Sequence, residues 1–115
     1  MDDFMEKHFK VGEKYGIDLE ILWKLYAANP ENPGEIGLTF NKRLRFTKDG
    51  NNKYYDLISN ITDEILCMDG EVCEVLYSDK DIVELVEEDT QIRFKMTKYE
   101  FKAIQDNPWR EANND

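Results

Sequence analysis

The sequence predicts an α+β fold. Short antiparallel strands curl into a small β-barrel or a strongly curled meander, with an N-terminal helical segment before them and a C-terminal capping helix after them. Three observations predict it. Between Leu38 and Met96 apolar residues recur at every second position, in runs punctuated by Gly- and Asp-containing turns. Thr97-Lys98-Tyr99-Glu100 spells a T-x-x-E capping box, the start signal of a helix. Leu19, Leu22, Trp23 and Tyr26 fall at helical spacing. Antiparallel strands this short commonly hide their edges by closing on themselves.

The N-terminal segment, 1–34 with its loop, carries two competing patterns. Ile17, Leu19, Ile21, Trp23 and Leu25 alternate as a strand would, but Asp18 suits an N-cap and Glu20 and Lys24 form an i,i+4 pair. The helical reading is preferred. Residues 3–14 suggest a shorter helix stopped by Gly16, with a strand starting at Phe9 as the competing reading. Asn29-Pro30-Glu31-Asn32-Pro33-Gly34 marks a loop.

Residues 35–107 form the barrel and its closing helix. Leu38–Thr47 alternates, with Leu38, Phe40, Leu44 and Phe46 on one side and Lys42 the one break. A turn at Asp49-Gly50-Asn51-Asn52 then sets Phe46 opposite Tyr55, Leu44 opposite Leu57 and Arg45 opposite Asp56. A second hairpin turns at Met68-Asp69-Gly70. With Gly70 in the left-handed region it gathers Ile65, Cys67, Cys73, Val75 and Tyr77 on one face. The other face carries Leu66, Val72 and Leu76, which invites a cover by a helix, a partner or a second copy of the chain. A third hairpin pairs Leu85 with Ile92, Val83 with Phe94 and Glu84 with Arg93. The capping box opens a helix from Lys98 to about Asp106, with Met96 and Phe101 as its hydrophobic staple, and a tail of 108–115 follows.

Chemistry has little to work with. His8 is the only histidine, and there is no glycine-rich phosphate loop, G-x-S-x-G or Cys–His cluster. Cys67 and Cys73 read as small, reduced core residues. Asp79-x-Asp81-x-x-Glu84 lacks the glycine of a calcium loop, and the E-x-K of Glu100-Phe101-Lys102 uses its acid as a cap. The expectation is a non-enzymatic protein with no metal and no cofactor. No apolar run exceeds four residues, so neither a membrane span nor a signal peptide is expected, and the cytoplasm is the expected location.

Charge is the informative feature. Residues 63–89 hold eleven acids and one base, a balance equal to the net charge of −10 of the whole chain. Such a field attracts a basic partner and repels nucleic acid. In a meander alternate turns share an end, so Asp69, Glu71, Glu87, Glu88 and Asp89 should form one acidic rim. Asp63, Glu64, Asp79 and Asp81 should form the other. Acid at turn tips can stand where phosphates would, which points to a basic protein whose groove normally holds DNA. The competing reading is a solvated sheet surface charged to block edge-to-edge pairing. A further alternative is nucleic-acid binding through Lys42, Arg43, Lys48 and Lys53 on the first hairpin, beside Tyr54. Another is a homo-oligomer burying Leu66, Val72 and Leu76.

Arg45-Phe46-Thr47-Lys48-Asp49-Gly50, the Met68-Asp69-Gly70-Glu71 turn and the closing Phe94-Lys95-Met96-Thr97-x-x-Glu100-Phe101 carry a resemblance. On these motifs, Leu38 to Ile104 resembles the small SH3-like barrel accessory proteins of prophages and mobile elements in AT-rich Gram-positive bacteria. The resemblance implies a non-enzymatic protein, some of whose relatives inhibit host-defence nucleases in the manner of anti-CRISPR and anti-restriction proteins.

Overall fold

The computed structural model describes residues 9–27 and 34–105. Along these residues lie β1 (Lys14–Gly16), α1 (Leu19–Tyr26), β2 (Gly34–Gly37), β3 (Lys42–Asp49), β4 (Asn52–Ser59), β5 (Ile65–Met68), β6 (Val72–Ser78), β7 (Ile82–Glu87), β8 (Arg93–Thr97) and α2 (Lys98–Gln105). The strands form two antiparallel sheets of four, in the orders β1-β6-β7-β8 and β2-β3-β4-β5. The α+β class is as expected; the closed barrel is not formed. The edge of β6 that closure would have used is taken by β1, with Tyr15 opposite Cys73. Between β8 and the other sheet a cleft of about 270 Å³ remains, lined by Leu66, Arg93, Phe94 and Lys95 together with Phe40 and Ile61.

Helix α1 resolves the N-terminal ambiguity in favour of the helix. The Asp18 carboxylate accepts hydrogen bonds from the Glu20 and Ile21 N–H groups at 3.1 and 3.4 Å, and the Glu20–Lys24 pair stands at 3.4 Å. Leu19, Leu22 and Trp23 are buried while Leu25 is exposed, which strand alternation would not allow. The helix expected over 3–14 is not present in its described part. Gly12 takes φ +94°, the chain turns there, and β1 follows. Residues 1–8, including His8, lie outside the described residues, as do 28–33 and the tail at 108–115. The N-terminal segment is part of the single core, because Phe9, Ile17, Leu19, Leu22 and Trp23 pack into the same cluster as Leu44, Leu57, Val75 and Leu85.

The strand expected at Leu38–Thr47 is broken. Phe40 and Asn41 both adopt left-handed φ values near 60°, so the chain doubles back and β2 pairs with β3. The break falls where Lys42 interrupts the apolar alternation. In β3 the parity holds with Lys42 inward alongside Leu44 and Phe46, and Phe40 is left half in solvent. The β3–β4 register is the expected one: Phe46 faces Tyr55, Leu44 faces Leu57, and Arg45 meets Asp56 at 2.8 Å.

The second hairpin is not a hairpin. Gly70 is left-handed as expected (φ +87°), but β5 and β6 belong to different sheets, and the turn carries the chain from one to the other. Cys67, Cys73 and Val75 still meet in the core. Ile65 and Tyr77 do not, because the pairing shifts by one residue in β5 and again near Leu76 in β6. In the third hairpin the faces are as expected and the register is slipped by two residues. Leu85 faces Phe94, Val83 faces Met96, and Glu84 faces Lys95 in place of Arg93. The longer loop follows from Glu87, whose carboxylate holds the turn by accepting from the Asp89 and Thr90 N–H groups at 3.0 and 2.7 Å.

The capping box forms as read. The Thr97 hydroxyl accepts from the Glu100 N–H and the Glu100 carboxylate from the Thr97 N–H, both at 3.0 Å. Met96 and Phe101 are both fully buried. Helix α2 packs on α1, β7 and β8, and its Phe101 ring stands edge-on to Phe9 (4.7 Å) and Tyr15 (5.3 Å).

Candidate functional site

The pairing of β6 with β7 brings the loops at 69–71 and 87–90 together, because the Glu88 N–H donates to the Val72 carbonyl at 3.0 Å. Carboxylate oxygens of Glu71, Glu87 and Asp89 lie within 4.8 Å of one another. A hard cation could use that spacing, in contrast to Asp79, Asp81 and Glu84, of which Glu84 lies along β7 facing Lys95 and Tyr77. Three acids of the expected first rim, Glu71, Glu87 and Asp89, therefore gather, and the five are not equivalent. Asp69 reaches across to α1 and accepts from the Leu19 N–H at 2.8 Å. Although Asp69 as a whole is exposed, desolvation of its carboxyl against α1 pushes it above the ordinary range, against the lowering effect of that bond. Glu71 accepts from the Met68 N–H at 2.7 Å, and Glu88 pairs with Lys14 at 2.9 Å. Among the described residues Asp89 has no such partner.

Glu87 is almost fully buried. Burial disfavours its charge, but the N–H groups of Thr90 and Asp89 outweigh that and hold its carboxyl below the ordinary range. The sign follows directly: a carboxyl with a depressed folded pKa stabilises above its ordinary pKa, and that stabilisation is lost as pH falls through the folded value. Glu20 and Asp79 are depressed too and act in the same direction, while the raised Asp69 acts in the opposite one. The urea midpoint is expected to fall as pH drops from about 6 to about 3. Glu87→Gln should flatten that fall; an unchanged slope in the variant would show that Glu87 titrates alike in the folded and unfolded chain, and a steeper one that it is held neutral in the fold.

The second rim divides into separate networks. Asp63 pairs with Arg43 beside Asn60. Asp79 organises its own turn, accepting from the Asp81 and Ile82 N–H groups and from the Tyr77 hydroxyl. The Asp81 carbonyl takes the Lys98 N–H at the start of α2. Glu64 is exposed, with its N–H donating to Thr62.

The basic set proposed for nucleic acid is divided: Lys48 and Lys53 stand opposite each other, exposed, near the hairpin tip, while the other two are drawn into the fold or into ion pairs. Lys42 is fully buried, because it is the inward residue of β3 and its ammonium donates to Glu100 at 3.2 Å and to the Thr39 carbonyl at 2.9 Å. Arg43 bridges Glu35 and Asp63, and Lys53 bonds Glu20 at 3.2 Å. Only Lys48 of the four lacks an ion pair among the described residues. The apolar set offered for self-association is also altered: Leu66 is buried, and Val72 and Leu76 are half-buried.

Sequence reasoning missed the buried ionic network around Glu100. Its Oε1 accepts from Lys42, the Thr97 N–H and the Thr39 hydroxyl, and its Oε2 accepts from the Tyr26 hydroxyl at 3.1 Å. Burial pulls the Lys42 ammonium down in pKa against the raising effect of Glu100, while burial and Glu100 together push the Tyr26 phenol up. The legible signal was Lys42 itself, a cation at an apolar position of the alternation. The network ties α1, the β2–β3 turn and α2 and is closed to solvent at its charged centre, so it serves the fold. Comparison of the chain with protein-family models, with curated proteins and with solved structures returned no match.

Proposed function

We propose that this chain is a non-enzymatic protein-binding module, an inhibitor that docks the acidic end built by 69–71 and 87–89 on the basic groove of a nuclease or other nucleic-acid-binding protein. The observation that carries the reading is the convergence of Glu71, Glu87 and Asp89 from two loops onto one spot. Glu87 is buried and fixes the loop, while the exposed Glu88 and Asp89 and the half-buried Glu71 present negative oxygens at one end, as a nucleic-acid backbone does. Lys14, through Glu88, is the one cation paired there among the described residues. Burial of Lys42 and the pairing of Arg43 and Lys53 with acids weaken the support for direct nucleic-acid binding, and the expected partner is a basic protein, with no membrane involved.

The test is binding to a panel of purified nucleases and DNA-binding proteins at low and high salt. Binding that weakens steeply with salt is expected. In the triple variant Glu71→Gln, Glu88→Gln, Asp89→Asn, affinity should fall at least about tenfold, since clustered interfacial charges each carry a substantial share of such contacts. Glu87 is left intact because it holds its own loop. Binding that ignores both salt and the triple variant would sink the reading. A mobility shift with DNA that disappears in Lys48→Ala would favour the nucleic-acid alternative.

A further inference from the structure

The two cysteines stand on different sheets, Cys67 on β5 and Cys73 on β6, with no strand pairing between them. Both are buried, and their Sγ atoms lie 3.8 Å apart. The Cys67 thiol also lies within 3.4 Å of the Met68 carbonyl. We propose that Cys67 and Cys73 are a reversible redox site, oxidised by a small-molecule disulfide to a bond that staples the two sheets at the turn carrying Asp69 and Glu71.

The surroundings favour this product over a metal thiolate. The neighbouring Cys73 thiol and burial push the Cys67 thiol up, and Glu71 and Glu87 add to that effect. A dithiolate holding a soft metal would bring negative charge into this environment. A disulfide carries none, so what opposes the thiolate does not oppose the bond. Access comes through β5, a strand of four residues at a sheet edge with exposed residues at both ends, Ile65 and Met68. Local opening of such an edge needs far less than global unfolding.

The exchange balances in two steps. The Cys67 thiolate attacks one sulfur of the small disulfide, whose S–S bond breaks, and the departing thiolate takes up the proton Cys67 lost. The Cys73 thiolate then attacks the Cys67 sulfur of the mixed disulfide, and the second small thiol leaves with the Cys73 proton. The protein loses two electrons, and the small disulfide gains them as two thiols.

The experiment uses the full chain, unfolded in urea and refolded in glutathione buffers so that access is not limiting, then alkylated and weighed. The expected product at a tenfold excess of reduced over oxidised glutathione is a species two mass units lighter than the dithiol, with no alkylation. Its melting temperature should exceed that of the reduced chain by roughly 5 °C. Two alkylated cysteines, or stable glutathione adducts on one or both, would overturn the proposal. Cys73→Ala is the control and should form only the mixed adduct on Cys67. The intramolecular bond forming without a rise in melting temperature would overturn the staple.

Discussion

Glu100→Ala is expected to lower the stability of the fold by roughly 3–5 kcal/mol, the loss typical of breaking a buried ion pair from one side. Both Glu100 and Lys42 are fully buried. Removing the carboxylate leaves the Lys42 ammonium with only Thr39 and the face of Phe40, 5.4 Å from the ring centre. It also removes one half of the α2 capping box, a loss of about 1 kcal/mol by itself, and the bond from the Tyr26 hydroxyl. The double variant Lys42→Met, Glu100→Gln is the informative companion. Glutamine still serves the capping box, and without the ammonium no charge is stranded. It should return to within about 2 kcal/mol of the parent chain. Urea unfolding of the three proteins measures this. A Glu100→Ala loss below about 1.5 kcal/mol would mean that Lys42 finds solvent.

Trp23→Ala is expected to cost roughly 3–5 kcal/mol, the range for truncating a buried aromatic. Trp23 packs against Phe46 (centroids 5.3 Å apart) and Tyr55 (6.0 Å), which themselves pair across β3 and β4. The residue is thus the bolt between α1 and the second sheet. A neighbouring control separates packing from helix propensity. Leu25 lies on the same helix but is exposed, so Leu25→Ala should change stability by less than about 0.5 kcal/mol. If the two substitutions cost the same, α1 does not seal the core through its Leu19, Leu22 and Trp23 face.

What could be read from the sequence follows how local the determining interaction is. The α2 cap and the β3–β4 register depend on residues a few positions apart, and both were legible. So was the helical character of 19–26, once Asp18 was weighed as a cap. The elements that escaped are those specified from far away. β1 has three residues and little apolar character; it exists because the edge of β6 is available to it. β2 is Gly-Glu-Ile-Gly, a segment with no strand signal apart from its partner β3. The separation of β5 from β6 could not be read because the turn chemistry of Asp69-Gly70 is the same whether the chain folds back or crosses over. The two-residue slip of β7 against β8 preserved every face, so alternation was blind to it, and the deciding contact was a glutamate bonding its own loop. At the candidate site, convergence of the two acidic loops was legible from strand order. The use of Asp69 as a cap for Leu19 was not.

That last contact belongs to a wider pattern with a consequence for how the chain is made. Leu19 is bonded by Asp69, 50 positions later; Lys42 by Glu100, 58 later; and Tyr26 by Glu100, 74 later. Each of these three contacts closes an early residue with a late one, so they stay open after the β2–β5 sheet has been made. Residues 9–27 must remain without their partners while the sheets are synthesised, and Lys42 cannot be buried at low cost until α2 has left the ribosome. Such non-local closure slows folding and prolongs exposure of unpaired edges. A protein stalled before residue 98 should therefore be a client for chaperones and proteases, with the fold closing only when α2 emerges.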